Sequence, residues 1–370
     1  MKQFSVVPTI VQFEECKQFC EEFQIGKGDL LFMSKSSYSF FEPYVKEAVV
    51  IFRGNYGSGE PSDEMVEKIY QDIKDIPYER VIAIGGGSVL DVAKLFALKQ
   101  FSPVIDLFDR KIELQKEKKL ILVPTTCGTG SEVTNISILE LKVRNTKMGL
   151  AVEELFADYA VLIPELLNDL SMHFFATSSI DALIHSIESY TSPKANEFTQ
   201  MFSLKAIQMI LSGYKEIAKN GEEARKPLLG DFLMASTYAG IAFGNAGCAA
   251  VHAMSYPLGA AYHVAHGEAN YAIFTQVYKT YQEMNPNGRI KVLNEFLAEI
   301  LECDANEVYV EIETLLNQIL PKKPLHEYGV TEEDLITFTE TVMTKQTRLM
   351  NNNYIELSEE KVLGIYKALY

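Results

Sequence analysis

Four short apolar runs in the first half of the chain constrain the fold most strongly. Each has the length of a strand and is continuously apolar, without alternation of apolar and polar residues: 30–33, 48–52, 81–84 and 120–123. Strands of this kind are buried on both faces, which is typical of a parallel sheet covered by helices. Helical patterns lie between the runs, such as 62–73, where Ser62 or Asp63 can cap the helix. The sequence therefore predicts a doubly wound α/β arrangement.

The second half of the chain has a different pattern. Pro164 ends one further predicted strand at 158–163, and long amphipathic segments follow at 198–217, 232–243 and 290–301. The β-rich run 307–311 fits a helix equally well. A chain of 370 residues is expected to form two domains. We predict an α/β N-terminal domain at 1–164 and an all-helical C-terminal domain at 165–370.

Charge and composition exclude several classes of partner. The net charge of −16 argues against nucleic acid and anionic membranes, because both require a basic surface. We expect neither a signal peptide nor a membrane-spanning segment, because no apolar run is long enough to cross a membrane. The five cysteines are odd in number and contain no CxxC motif, which indicates reduced thiols. We expect a cytoplasmic protein that acts on a small molecule.

A run of three glycines follows the third apolar run and opens a predicted helix. Gly85, Gly86 and Gly87 allow the backbone to come close to a pyrophosphate, and free N–H groups at a helix start can bind its charge. The segment matches neither the G-x-G-x-x-G fingerprint nor a Walker A sequence. A tight turn without a ligand is therefore the alternative interpretation.

A second polar loop, 124–132, follows the next apolar run and is rich in threonine and glycine. Hydroxyl-rich loops at the carboxyl ends of parallel strands are typical positions for dinucleotide binding. Two such loops after successive strands are harder to explain as turns alone. Together they predict a dinucleotide-binding N-terminal domain.

Histidines are concentrated in one stretch of the second half. Three of the six histidines lie within 252–266, and His185 follows Asp181 by four positions in an apolar, helical pattern. The side chains of Asp181 and His185 would leave the same face of that helix. Imidazole and carboxylate together suit Fe(II), Zn(II) and related ions. A hydrogen-bonded core histidine is the alternative for any single residue, but the clustering favours a divalent metal.

These motifs, taken in order, resemble those of the iron-containing (group III) alcohol dehydrogenases. The resemblance extends over nearly the whole chain and rests on 85–91, 124–132, 181–185 and 252–266. Five further segments resemble the subgroup that interconverts 4-hydroxybutyrate and succinate semialdehyde with NAD(H): 56–65, 239–247, 263–271, 323–329 and 352–354. The resemblance implies a metal-dependent oxidoreductase, a helical domain that holds metal and substrate, and a homo-oligomer, either a dimer or larger.

The resemblance also implies roles for individual residues. The four metal-ligand positions are Asp181, His185, His252 and His266, with Fe(II) expected and Zn(II) as the alternative. The expected NAD(H) contacts are Gly86, Gly87, Ser88, Asp91, Thr125, Thr126, Thr129 and Lys147, the last with the ribose.

The sequence departs from the family pattern at two places. Tyr256 stands where many members have a second histidine, so a proton-relay role passes to Tyr256, His263 or water. Ser34, followed by Lys35, replaces the acidic residue that disfavours NADP, which weakens the expected preference for NAD.

The alternatives include other activities. A diol or simple alcohol dehydrogenase of the same family would not require a substrate carboxylate, whereas a 4-hydroxy acid requires a group that binds one. The candidates for that group are Tyr256, Tyr262, His263, Arg348 and Asn351 to Asn353. A lyase of the dehydroquinate-synthase type would require a basic cluster, and a non-catalytic nucleotide-binding protein would not need the metal ligands.

Overall fold

The computed structural model describes residues 3–57, 59–144 and 146–370. Its contacts divide the chain into two compact units. One is Val6–Leu170, and the other is Ser171–Tyr370 together with the described N-terminal residues up to Ser5.

The first unit is built on a parallel six-stranded sheet with the order β1-β8-β5-β4-β2-β3. The central strands are continuously apolar because both of their faces are covered, and residues 30–33 of β2 have no exposed surface. A separate antiparallel pair is formed by β6 and β7. The strands are β1 (Thr9–Gln12), β2 (Asp29–Met33), β3 (Val49–Phe52), β4 (Arg80–Gly85), β5 (Lys119–Pro124), β6 (Ile136–Leu141), β7 (Thr146–Ala151) and β8 (Tyr159–Leu162).

Helices connect these strands as the sequence predicts. Ser62 caps α3, since its side chain accepts a hydrogen bond from the Met65 N–H, and Asp63 and Glu64 complement the positive end of the helix dipole. The helices of this unit are α1 (Cys16–Glu22), α2 (Tyr38–Phe41), α3 (Asp63–Ile73), α4 (Gly87–Phe96) and α5 (Val104–Phe108).

The second unit is helical. All residues from 171 to 370 are described, and none of them lies in a strand. The segment 307–311 belongs to a helix, where Val308, Tyr309 and Ile312 turn a buried face inward. The helices are α6 (Met172–Thr191), α7 (Glu197–Asn220), α8 (Leu229–Ala246), α9 (Ala250–Tyr262), α10 (His266–Met284), α11 (Arg289–Leu301), α12 (Val308–Ile319), α13 (Glu332–Lys345), α14 (Thr347–Met350) and α15 (Glu359–Leu369).

The predicted fold class, an α/β part followed by a helical part, is confirmed. Among the described residues, no helix is sufficiently long and apolar to cross a membrane. All five cysteines are described, and each is a free thiol.

Candidate metal centre and nucleotide-binding loops

Three helices of the second unit bring the predicted metal ligands together. Asp181 and His185 lie one turn apart on α6, His252 lies on α9, and His266 is the first residue of α10. Asp181 is at the centre, with its carboxylate oxygens 3.8 Å from His185 Nδ1, 3.5 Å from His252 Nε2 and 3.8 Å from His266 Nε2. The structure therefore brings these four residues into one cluster, and their role as metal ligands stays a prediction.

The exposure of the cluster differs from side to side. The side chains of Asp181, His185 and His252 are at most 7 % exposed, whereas that of His266 is 39 % exposed. The rings of His185 and His252 stack with centroids 4.6 Å apart, and the other face of His185 packs on Phe243. The cluster is thus closed on three sides and accessible beside His266, as a metal site needs when it must also admit a substrate.

A close approach of two helices sets the position of His266. A Cβ atom at Gly267 would overlap the backbone carbonyl of Thr177, one turn before Asp181 on α6. Only glycine allows α10 to begin this close to α6. The backbone contact fixes the distance between Asp181 and His266.

Glu188, which the sequence analysis missed, orients His252. It lies on α6, is 1 % exposed, and its carboxylate is 2.6 Å from His252 Nδ1. The same carboxylate accepts hydrogen bonds from the backbone N–H groups of Ala249 and Val251. These bonds hold the start of α9 on α6 and turn His252 Nε2 toward Asp181.

Asn270 and Cys248 also border the cluster. The Asn270 amide donates a hydrogen bond of 2.7 Å to Asp181 Oδ1 and lies 3.2 Å from His266 Nε2. The buried Cys248 thiol lies within 4.8 Å of ligand atoms of His185 and His252. Helical spacing could have indicated Asn270, four positions after His266, and Glu188, three positions after His185.

The charges in the cluster favour a bound cation. Burial disfavours the ionised form of Asp181, but the histidines around it hold its pKa below the usual range. Burial also disfavours protonated His252, but Glu188 and Asp181 raise its pKa to about 9. In addition, His252 Nε2 is buried without a well-aligned hydrogen bond from any described residue. The buried Asp181 carboxylate and the imidazole nitrogen directed at it, with Glu188 on the opposite ring nitrogen, fit a divalent metal.

The two predicted catalytic residues lie at different places on α9 and the turn after it. Tyr256 is one turn beyond His252, with its ring centroid 6.0 Å from that of His266, and burial raises the pKa of its hydroxyl. His263 ends α9 in the left-handed conformation (φ 55°) and is exposed. The structure thus brings Tyr256 to the metal cluster and leaves His263 on the accessible turn before His266.

In the first unit, the glycine run joins β4 to α4. Gly86 is the N-cap residue of α4 and has no side chain to satisfy the first N–H groups of the helix. In the sheet, β2 is followed along the chain by β3 on one side, whereas β4 is followed by β5 on the other side. The strand order therefore reverses at β4, and ligands of open α/β sheets bind at such a reversal. Gly86, Gly87 and Ser88 are partly exposed, although the preceding residues 81–85 are buried.

The threonine-rich loop after β5 lies against the glycine run. The N–H of Thr125 donates to the Gly85 carbonyl, and Thr126 and Thr129 border Gly86 and Gly87. Thr125, Thr126 and Thr129 are partly exposed, whereas Cys127, Gly128 and residues 130–132 are buried. The structure thus brings together the two loops and exposes the residues predicted to contact the nucleotide.

Asp91 has partners inside the protein. Its carboxylate accepts hydrogen bonds from Ser131 Oγ (2.5 Å) and the Ile138 N–H (3.1 Å), and it lies 3.3 Å from Lys94 Nζ. The Lys94 ammonium is completely buried and donates to Ser131 Oγ and the Ile136 carbonyl, and burial lowers its pKa. Asp91 thus joins α4 to the threonine-rich loop, and its predicted cofactor contact stays a prediction.

Lys147 and Ser34 lie at other points of the first unit. Lys147 is on β7, partly exposed, with its ammonium 3.1 Å from the Glu60 carboxylate. Ser34 directly follows β2, and its N–H donates to the Ile84 carbonyl beside the glycine run. The predicted contact of Lys147 with the ribose, which stays a prediction, would require that its ion pair with Glu60 be shared or exchanged.

Comparisons with known proteins agree with this arrangement. Residues 8–164 match the sequence model of iron-containing alcohol dehydrogenase, and residues 175–370 match that of the Fe-containing alcohol dehydrogenase family, C-terminal. The chain is 51 % identical to 4-hydroxybutyrate dehydrogenase of Clostridium kluyveri, and the alignment covers 100 % of both chains. It is 34 % identical to long-chain-alcohol dehydrogenase 1 of Geobacillus thermodenitrificans, over 84 % of this chain and 80 % of that one.

Solved structures share the fold. Sulfoacetaldehyde reductase from Bifidobacterium kashiwanohense, solved in complex with NAD+, superposes with a TM-score of 0.85 at 22 % identity and covers 100 % of this chain and 98 % of its own. An iron-containing alcohol dehydrogenase from Thermococcus thioreducens gives a TM-score of 0.83 at 25 % identity, with 99 % of each chain covered. Since both halves of the chain match models of this family, the protein belongs to the iron-containing alcohol dehydrogenase family of oxidoreductases.

Proposed function

We propose that the protein interconverts 4-hydroxybutyrate and succinate semialdehyde by hydride transfer with NAD(H). The observation that supports this substrate most strongly is the 51 % identity, over both entire chains, to the Clostridium kluyveri enzyme. The five free thiols fit a reducing compartment, which supports a cytoplasmic location.

Asp181, His185, His252 and His266 would hold the metal, with Fe(II) expected from the family. A bound divalent ion acts as a Lewis acid that acidifies an alcohol and polarises an aldehyde. Three imidazoles and one carboxylate suit Fe(II) and Zn(II) alike. Glu188 keeps the His252 ring in the orientation that directs Nε2 at the other ligands.

Tyr256 and His263 are the proposed proton-handling groups. The raised pKa of Tyr256 keeps its hydroxyl protonated, so it acts as a hydrogen-bond donor beside the cluster and not as a base. His263 lies on the exposed turn before His266 and can exchange protons with solvent. In this scheme Tyr256 positions the substrate oxygen, and His263 with water passes the proton on.

The two loops of the first unit would bind NAD(H). No side chain caps the N–H groups at the start of α4, beside the partly exposed Gly86, and they suit the pyrophosphate. The hydroxyls of Thr125, Thr126 and Thr129 lie on the accessible side of the adjoining loop and suit the remainder of the dinucleotide. Ser34 lies nearby without a carboxylate, so a comparison of NADPH with NADH as the reductant tests the cofactor preference.

The second candidate is a dehydrogenase for simple alcohols, which the resemblance to the long-chain-alcohol enzyme favours.

The deciding experiment follows NADH oxidation by anaerobically purified, metal-loaded protein with succinate semialdehyde and, separately, butyraldehyde. These aldehydes differ in the terminal carboxylate. We expect efficient turnover with succinate semialdehyde and at least tenfold lower kcat/KM with butyraldehyde, on the order expected for one charge-assisted contact. Equal efficiency would favour the simple-alcohol activity, and chelation followed by Fe(II) or Zn(II) addition tests the metal dependence.

Replacing Glu188 with glutamine is expected to weaken metal binding. The amide retains one oxygen acceptor for the backbone of α9 but cannot stabilise His252 by charge. Loss of such an outer carboxylate lowers metal affinity by about 10-fold or more. Competition with a chromophoric chelator measures the affinity directly. Unchanged affinity would show that Glu188 only supports the fold, and glutamine at Glu313, whose carboxylate pairs with Lys322 and Lys279, provides the matched control.

A further inference from the structure

Arg348 is a cation placed beside the helix that carries His252 and Tyr256. It lies on α14, which packs against α9. Leu349 is the buried residue of this short helix, whereas Arg348 is exposed on another face. The fold therefore uses Leu349 to attach α14 and leaves the guanidinium accessible.

Asn352 fixes this arrangement one helical turn after Arg348. Its buried amide donates hydrogen bonds to the carbonyls of Ala246 (2.9 Å) and Cys248 (3.0 Å), which lead into α9. Its Oδ1 accepts a hydrogen bond from Ser192 Oγ at the end of α6. The end of α14 is thus bonded to the segments that carry the metal ligands, and Arg348 is held at a defined distance from them.

The charge of Arg348 reaches the surroundings of the metal cluster. Burial raises the pKa of both the Cys248 thiol and the Tyr256 hydroxyl, and the positive charge of Arg348 opposes that effect at both groups. Such an influence requires proximity, because charge interactions are screened beyond about 10 Å at ordinary ionic strength. The packing of α14 against α9 agrees with this proximity.

Arg348 also lacks a counter-ion within the described part of the chain. Its guanidinium forms neither an ion pair nor a hydrogen bond with any described residue. Several other cations of the helical unit are engaged by carboxylates: Lys215 by Glu302, Lys279 and Lys322 by Glu313, and Lys323 by Glu268. In a chain with 50 acidic and 34 basic residues, an arginine kept without an acidic partner beside the metal cluster is available to an external anion.

We propose that Arg348 binds the carboxylate of the substrate and so distinguishes 4-hydroxybutyrate and succinate semialdehyde from neutral alcohols and aldehydes. This inference rests on the proposed function. A planar guanidinium can hold both oxygens of a carboxylate, and a semialdehyde carries its carboxylate at the end opposite to the reacting carbon. Of the groups considered from the sequence, Tyr262 is occupied by Asp334, and the side-chain amide of Asn352 by the backbone. Arg348 is the candidate that is both charged and accessible.

The test compares kcat/KM for succinate semialdehyde with kcat/KM for butyraldehyde in the metal-loaded holoenzyme. In Arg348→Gln we expect this ratio to fall by about 10- to 50-fold, mainly through a higher KM for the semialdehyde. Arg348→Lys keeps the charge but loses the bidentate geometry, so its ratio should lie between those of the parent and Arg348→Gln. Inhibition by butyrate, which shares the carboxylate but cannot react, should weaken in parallel.

Lys345→Gln is the matched control, because it removes one exposed positive charge from the end of α13, three positions away. Its ratio should stay within about twofold of the parent, as expected for a screened surface charge. A ratio in Arg348→Gln as high as in the parent, with normal metal content and unfolding temperature, would overturn the inference. An equal loss in Lys345→Gln would also overturn it, since general electrostatics would then be the cause. If the parent itself does not reduce succinate semialdehyde, the proposed function fails, and that outcome is separate from the result for Arg348.

Discussion

His252→Ala is expected to remove bound metal and lower kcat by about 1,000-fold or more, since a metal Lewis acid contributes several kcal/mol to such a reaction. Two groups of residues in the cluster could hold a metal ion, and His252 belongs to both. One group also contains His185 and Cys248, and the other contains Asp181 and His266. Its loss also leaves the Glu188 carboxylate buried without the imidazole that it contacts. We therefore expect a second effect, a lower unfolding temperature in the metal-free protein.

Metal content, measured by elemental analysis after anaerobic purification, is the primary readout. The exposed His326, which contacts the backbone of Tyr370, supplies the control, and His326→Ala should retain metal and activity. Full metal content and activity in His252→Ala would contradict the ligand assignment. A variant that retains metal and loses activity would instead assign His252 a role in substrate positioning.

Gly86→Ala is expected to raise the Kd for NADH by about 100-fold, because a methyl group would separate the pyrophosphate from several N–H donors at the start of α4. The protein itself can accept this methyl group. The added Cβ would lie 3.5 Å from Thr126 Cγ2, an ordinary contact, and the backbone at residue 86 has φ −72°. A change in binding therefore reports the approach of the ligand and not damage to the fold.

Fluorescence titration with NADH measures this binding, together with the unfolding temperature. Gly87→Ala provides the contrast, since its Cβ would lie 2.7 Å from Thr129 Cγ2 and must displace that side chain, so both stability and binding should fall. Gly364→Ala, at an open position inside α15, should leave NADH affinity unchanged and should not lower stability, because alanine favours the helix more than glycine does. Unaltered NADH affinity in Gly86→Ala would show that the glycine run is a turn that does not contact the dinucleotide.

The elements that position both candidate sites could be predicted from sequence because their signals are local. The apolar runs that became β2, β4 and β5 are buried on both faces, and Ser62 caps α3 as its residue type indicates. Strand β1 was not predicted, since it lies at the edge of the sheet and is largely exposed, which removes the apolar signal. The β6–β7 pair was also missed, because it lies apart from the parallel sheet and strand β7 contains a glycine.

The candidate metal site also contains residues that could be predicted from the sequence and residues that could not. Its four ligand positions have a sequence signal in residue type and spacing, whereas the residues that support them are defined by tertiary contacts. Glu188 and Asn270 are ordinary polar residues on amphipathic helices until α6, α9 and α10 meet. Arg348 was one of several candidates in the sequence, and it is distinguished by the attachment of its segment, through Asn352, to the end of α8 and to the residues that precede α9.

The contact of Gly267 with Thr177 has a consequence for redesign of the metal centre. Because backbone meets backbone there, the spacing of α6 and α10 does not depend on how large side chains interlock. Substitutions at Asp181 or His266 would change the donor atoms while the scaffold around them keeps its dimensions. Other metal preferences could thus be introduced by exchanging ligands alone, whereas any side chain at position 267 would force the two helices apart and dismantle the centre.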